Sequence, residues 1–483
     1  MYTLFRFSHI FILLVLYGVC PRKLKGRCMC FCFVSLGPTF IKLGQTLSIR
    51  PDIVGDDAAD ALGMLRDRLP PFDARKAMRT IEKSLGTSIH SLFKEFNQQP
   101  VAAASIAQIH RAITTDGRDV AVKVLRPGIE RRINRDLTFL RRIASWFSQC
   151  ESLKRLRLID VINTFTEMLR FEMDLRFEGA AASELRDNLK QDEGVYVPAI
   201  DWDRTAKHVL TLEWINGIPI HNREALINAG HNLDMLTRHL SHTFFNQTYR
   251  DGFFHGDLHP GNILVKHDGN IALVDFGIMG RLDQSTRRFV AEILRGFIHR
   301  DYHHIAQVHL DAGYIPADTN VATFALACRS IGEPIVGKPF SHLSIGKLLK
   351  QLFKITQDFS METQPQLLLL QKTMLLIEGL GSTLAPHANM WELAEPWMKE
   401  WAVQNLGWKA RATEVHQQFK QTIKQVPLLT QSLQQWVLTT SQEGLKLHPT
   451  SLAELNKAQN HTVWTSVISL AALLLALWMV LHA

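Results

Sequence analysis

Asp257, Asn262 and Asp275 are the residues of this chain whose types and spacing most readily do chemistry. They lie in the stretch from Phe253 to Arg281, FFHGDLHPGNILVKHDGNIALVDFGIMGR. Carboxylate and amide oxygens are the ligands that a hard divalent cation such as Mg²⁺ accepts, and a carboxylate beside an acceptor hydroxyl can take its proton. Phosphoryl transfer from a nucleotide needs this set, because the reaction is mainly positioning and charge neutralisation. Ile263–Val265 and Ile271–Val274 are short apolar runs around His267-Asp268-Gly269-Asn270, a pattern that predicts a β-hairpin. The hairpin returns Asp275 to the end of the strands where Asp257 and Asn262 wait.

A lone Asp-Phe-Gly is weak evidence, since Asp before Gly is common turn chemistry. An Asp and an Asn five apart, followed by a hairpin and then Asp275-Phe276-Gly277, is more specific, and it matches the catalytic loop of protein kinases. A second hairpin is predicted upstream, from Ile109–Ile113 through the turn Thr114–Arg118 to Val120–Leu125. Lys123 projects from its second strand, as a lysine contacting α- and β-phosphates must. Ahead of it, Val101-Ala102-Ala103-Ala104-Ser105-Ile106-Ala107-Gln108-Ile109 stands where a nucleotide-binding protein would carry a glycine-rich loop. Alanine keeps the loop slim but forbids the positive φ that glycine allows, so a stiff loop is expected.

These groups need a scaffold. Apolar spacing at Ile41, Leu47, Ala58, Leu62 and Leu65 predicts helices broken at Pro51. Pro70-Pro71-Phe72-Asp73 announces a helix over Ala74–Leu85, ended by Gly86. Ile129 to Phe147 has helical spacing, and a second long helix is expected over about Ile159–Leu189. It carries Glu167, Glu172, Asp174 and Glu178, any of which can hold Lys123 in place. Val195–Pro198 and Val209–Trp214 are strand-like, and Asn216-Gly217 turns the chain, so Glu213–Gly217 is taken as the boundary between a sheet-bearing lobe and a helical one. After Gly280 the pattern is helical, with segments at Thr286–Phe297, Phe340–Phe353, Gln364–Ile377 and Met390–Val403.

The chain has 483 residues, 46% hydrophobic and 21% charged, which is enough for one large or two modest globular cores. A net charge of +8 fits nucleic acid or an anionic membrane. No basic run with interleaved aromatics is present, so the membrane is preferred and nucleic acid set aside. Six cysteines, at 20, 28, 30, 32, 150 and 328, are too few and too uneven for a disulfide framework, and a reducing compartment fits. Cys28, Cys30 and Cys32 lack the two-residue gap of a zinc turn, and His303, His304 and His309 lack an acidic partner pattern.

Val463–Leu481 is free of charge, long enough to cross about 30 Å of hydrocarbon, and carries Trp464 and Trp478 near its ends. Lys446 and Lys457 precede it, which places the globular part on the cytoplasmic side of a single-pass C-terminal anchor. Near the N-terminus, Ile10–Cys20 is apolar but short, and basic residues from Pro21 to Arg27 follow; a membrane-surface segment or a non-functional start is the reading, and an organellar transit peptide also fits.

With these residues in place, the chain resembles the UbiB branch of the UbiB/ADCK family of atypical kinase-like proteins. The resemblance rests on Lys42-Leu43-Gly44-Gln45 (KxGQ), the alanine-rich loop at Ala102–Gln108, Val120–Lys123, Glu172-Met173-Asp174 (ExD), His255–Asn262 and Asp275–Gly277, and it covers the chain from about Gly37 to the final apolar segment. It implies an α+β, bilobal protein-kinase-like fold. The parts would be an N-terminal segment 1–36, a helical extension 37–100, a sheet-bearing lobe 101–215, a mostly helical lobe 216–450 and a transmembrane helix 462–482. It implies ATP and Mg²⁺ between the lobes, with Val101 to Ile109 and Lys123 on the phosphates, Asn262 and Asp275 on the metal, and Asp257 as proton acceptor. Lys42, Gln45, Glu172 and Asp174 would complete the catalytic set as a polar network closing the cleft.

The implied role is in ubiquinone biosynthesis, at an inner bacterial or organellar membrane, with membrane lipid, isoprenoid quinone precursors and other enzymes of that synthesis as partners and a homodimer as an assembly to consider. Relatives in this branch look as if they end in two closely spaced spans, whereas this chain has one strong span. An ATPase or phosphotransferase is the first expectation, and a nucleotide-gated scaffold or lipid-extraction module the second. A small-molecule kinase of the aminoglycoside or choline type shares the catalytic loop, but KxGQ and the alanine loop speak against it. A ring-hydroxylating monooxygenase lacks both a flavin GxGxxG and an iron-binding cluster.

Overall fold

The structure is a computed structural model that describes residues 25–48, 69–148, 158–334 and 365–388, with scattered positions at 54–65 and 355–397. The apolar span at 463–481, the helical segment at 340–353 and most of the segments 390–403 and 1–36 lie outside the described residues.

Helix α1 (Lys25–Leu36), α2 (Pro38–Ser48) and α3 (Asp56–Gly63) precede α4 (Ala74–Leu85). α4 has the limits the sequence predicts: Asp73 caps it by accepting from the Arg75 N–H, and Gly86 ends it in the left-handed region at φ 70°. The one-turn helix α5 (Ile89–Leu92) leads into a five-stranded sheet, in which β1 (Phe93–Phe96), β3 (Ala107–Thr114), β4 (Asp119–Leu125) and β6 (Val209–Glu213) are consecutive neighbours and β2 (Ala102–Ala103) pairs with β3. Ile109 pairs with Lys123, and Lys123 with Leu210.

Strand alternation gives the sheet two dry faces. Val120, Val122 and Val124 pack with Ala77 and Ile81 of α4. Leu125 and Leu210 instead pack with α6 (Ile129–Phe147), α7 (Leu158–Glu172) and Leu36, Phe40 and Leu43 of the first two helices. Lys123 alternates with the valines and lies on the face that the N-terminal helices cover. Gly44 lets α2 approach closely, since a Cβ there would collide with Leu65 and Phe33. Thr39 donates to Asp136 across 2.7 Å, both fully buried, and ties α2 to α6.

The long helix expected over Ile159–Leu189 is two helices. Asp174 leaves the helical region and caps α8 (Leu175–Asn188), accepting from the Arg176 N–H, while the Leu175 N–H goes to the Lys207 carbonyl. An acceptor on a short side chain competes well for the backbone here, and the chain turns a corner.

The first sheet ends at Glu213, and the chain returns at β7 (Gly217–Pro219) to a second sheet, to which β5 (Val195–Tyr196) already belongs. Its order is β5, β10 (Ile271–Leu273), β9 (Ile263–Lys266), β7, with β9 and β10 the expected hairpin around Gly269 at φ 84°. β8 (Phe253–His255) pairs with β11 (Met279–Arg281). The remaining described elements are helices: α9 (Arg223–Asn228), α10 (Leu233–Phe245), α11 (Gln284–Ile298), α12 (Tyr302–Asp311), α13 (Val321–Gly332) and α14 (Pro365–Leu384). Among the described residues one helix, Gln366–Leu384, is long and apolar enough to cross a membrane; in this structure it packs against α10 and β11.

Candidate active site

Lys123 is the centre of a buried ionic cluster. Its ammonium donates to Glu178 at 2.7 Å and to Asp275 at 3.1 Å. Its side chain and that of Glu178 are about one-tenth exposed, whereas Asp275 keeps 49% of its side chain accessible, recessed among protein atoms yet open to water. Burial opposes the Lys123 charge, and the two carboxylates more than offset it, so its pKa lies above the usual lysine value. Asp275 is held well below the carboxylate range, first by Lys123 and then, against the cost of burial, by Lys42. Burial pushes Glu178 the other way. Of the four acids that the sequence offered as partners for Lys123, Glu178 is the one that meets it, one turn into the helix that Asp174 caps.

Asp275 adopts φ 66°, a left-handed conformation costly for a residue with a Cβ. Its placement is over-determined. The Val274 N–H donates to the Asn262 carbonyl and the Gly256 N–H to the Ile278 carbonyl, so the loop 257–262 and the Asp-Phe-Gly segment are laced together. Asn262 sits in a single 3-10 turn, Pro260–Asn262, and gives its amide nitrogen to the Asp257 carbonyl at 3.0 Å, which leaves its side-chain oxygen for a cation. Together with an ionised, accessible Asp275 this is a donor set that suits Mg²⁺, which takes few protein oxygens and completes its shell with phosphate and water. Among the described residues no group of three His, Cys, Asp or Glu forms a metal cage, at the histidines 303, 304 and 309 or elsewhere. Cys30 gives its thiol hydrogen to the Ala61 carbonyl at 3.0 Å.

Asp257 is anchored through its backbone to His255, whose Nδ1 accepts the Asp257 N–H at 3.1 Å. Burial lowers the His255 pKa, so a neutral ring holds the loop. The Asp257 carboxylate has two partners: Oδ1 receives the Lys372 ammonium at 3.0 Å, and Oδ2 is 3.4 Å from the Asn262 amide nitrogen. Lys372 comes from α14, 115 residues downstream, and no local pattern pointed to it.

The alanine loop is a tight hairpin. Ala102 and Ala103 pair with Ile109 and Gln108, and the Ala104 N–H donates to the Ala107 carbonyl. Val101 and Ala102 are exposed, Ala103, Ala104 and Ile109 half-buried, and Ser105, Ile106, Ala107 and Gln108 buried. The loop therefore offers its outer residues and backbone to a ligand. Gln108 faces inward and clamps Phe72, accepting from its N–H at 3.0 Å and donating to its carbonyl at 3.3 Å. Arg126, one residue past β4 and missed in the sequence, donates to the carbonyls of Ala104 at 2.8 Å and Pro70 at 2.9 Å. The loop is stiff because an arginine stitches it to the N-terminal extension.

Lys42 and Glu172 form a buried ion pair at 3.3 Å. Asp174 has a partner of its own. Besides capping α8, its carboxylate pairs with Arg176 at 2.7 Å. Gln45 is half-buried, one turn beyond Lys42, and its carbonyl accepts the Ser48 hydroxyl. The structure thus joins Lys42 to Glu172, and uses Asp174 to set the corner from which Glu178 reaches Lys123.

Comparison with known proteins gives the family. Residues 64–309 match the model of the ABC1 atypical kinase-like domain, and residues 328–389 that of the UbiB helical domain. A protein of Marinobacter nauticus named "Probable protein kinase UbiB" is 40% identical over 429 residues, covering 88% of this chain and 78% of its own. One of the same name from Pasteurella multocida is 41% identical over 397 residues, covering 79% of this chain and 75% of the relative. The solved Rv3197–erythromycin complex from Mycobacterium tuberculosis is similar at a TM-score of 0.53 and 27% identity, over 73% of this chain and 90% of that one.

Proposed function

The chain belongs to the UbiB branch of the ABC1 atypical kinase-like family, and from that premise we propose that it binds ATP with Mg²⁺ and turns the nucleotide over in support of ubiquinone biosynthesis at a membrane. The observation that carries this reading is the cluster Lys123–Glu178–Asp275. It holds one ammonium rigidly for phosphate oxygens and one carboxylate ionised for a cation. Lys123 and the outer edge of the loop 101–109 bind the phosphates; Asn262 and Asp275 hold the metal; Asp257 takes the proton of the attacking hydroxyl or water. The bound cation would neutralise charge on the phosphate oxygens as the bond to the leaving group breaks.

Lys42, from the N-terminal extension, contributes to the charge balance at Asp275. An extension so close to the site favours water or a small phenolic or lipid acceptor over a protein side chain. A cytoplasmic catalytic part held at an inner membrane by residues 463–481 would meet quinone precursors and the other enzymes of their synthesis there. The second reading, a nucleotide-gated scaffold or lipid-extraction module, draws on the same extension and predicts binding without appreciable turnover.

The test is phosphate release from ATP by the purified full chain, with and without membranes and phenolic quinone precursors, beside Asp275→Asn. Turnover that the variant lacks supports the proposal. Turnover equal in both would remove it, and nucleotide-induced stabilisation without turnover would favour the scaffold.

A further inference from the structure

We infer that Lys372 is a positioning residue for Asp257, so that the helical domain completes the catalytic centre of the kinase-like domain; this rests on the phosphoryl-chemistry reading above. The loop from Asp257 to Asn262 reads Asp-Leu-His-Pro-Gly-Asn and contains no lysine or arginine. Lys123 is committed to Glu178 and Asp275. A carboxylate that must take a proton beside anionic phosphoryl oxygens needs a fixed cation to hold its orientation and offset the crowding of negative charge. Lys372 supplies one at 3.0 Å, from residues 328–389 and not from the kinase-like residues 64–309.

A second contact makes the pairing a seat. Leu369, one turn before Lys372 on the same face of α14, lies against Gly256, where a Cβ would stand 2.7 Å from a Leu369 methyl carbon. Gly256 and Asp257 are therefore met by Leu369 and Lys372 in step, and the absent side chain at Gly256 is what lets the helix come this close. As an ion pair the contact adds little stability, since both side chains are about one-third exposed. Its consequence is geometric. Lys372 occupies Oδ1, and Oδ2, in its longer contact with the Asn262 amide, keeps a lone pair for an acceptor.

The experiment compares the parent full chain with Lys372→Met and Lys372→Arg in two assays with ATP and Mg²⁺: phosphate release, and the rise in melting temperature on nucleotide addition. Lys372→Met is expected to lose about 100-fold in kcat, with KM for ATP and the nucleotide-induced rise in melting temperature unchanged. Lys372→Arg is expected to recover most of the loss. A methionine variant with the parent's kcat, or a faster one, overturns the inference while leaving the proposed function intact; a faster one would mark the contact as a brake. Equal loss in both variants would make the role one of packing and also overturns it. A parent chain that binds nucleotide without turning it over removes the step that Lys372 would serve, and a parent that does neither sinks the underlying reading as well.

Discussion

The Lys123 ammonium lies 2.7 Å from Glu178 Oε1, joining β4 to a helix 55 residues further along the chain. That distance fixes the lysine between Glu178 and Asp275 and ties the sheet to the corner at Asp174. Because both side chains are nearly buried, the pair has little freedom to rearrange.

Glu178→Gln is expected to leave Lys123 with Asp275 as its remaining carboxylate. Removing one partner of a buried pair costs about 3 kcal/mol or more, and Asp275 retains part of that. Urea denaturation should show the loss, and ATP should raise the melting temperature less than in the parent. An unchanged response to ATP would mean that Glu178 does not set the position of Lys123.

Asp174→Ala removes a helix cap, a loss of about 1 kcal/mol. The expected signature is that ATP binding weakens too, because the start of α8 sets where Glu178 falls. Arg176→Ala, at an exposed partner, should leave ATP binding intact. Equal effects from the two would refute the corner as the cause.

Burial pushes the Glu378 carboxyl up to about 7, and among the described residues its Oε2 has no hydrogen-bond partner. The folded pKa is above the unfolded one, so the contribution of this group to stability is complete below pH 4.5 or so and is lost as pH rises through about 7. Glu378→Gln is expected to flatten that part of the pH–stability curve and to gain on the order of 2 kcal/mol above pH 7. A curve of unchanged slope in the variant would assign the pH dependence to other groups.

Deletion of Thr462 to Ala483 is expected to move the protein from the membrane fraction to the soluble one, since Val463–Leu481 is the longest uncharged run. Retention would place the anchor at the N-terminus or on a surface helix.

The sequence by itself determined the parts whose signals are local. The hairpin that returns Asp275 to Asp257 and Asn262 follows from turn chemistry between two apolar runs, and the position of Lys123 from strand alternation. Helix α4 follows from a cap, a period and a terminal glycine. These depend on interactions a few residues apart, so they are written in spacing. Only the tertiary structure decided which acid meets Lys123, that a helix read as continuous breaks at Asp174, that Arg126 stitches the alanine loop, and that Lys372 reaches Asp257. Asp174 did carry a signal, as a good helix cap, but periodicity on both sides outweighed it. The other pairings span 22 to 115 residues. They arise because packed helices set where a side chain can reach, and that packing is a property of the whole core rather than of any window of sequence.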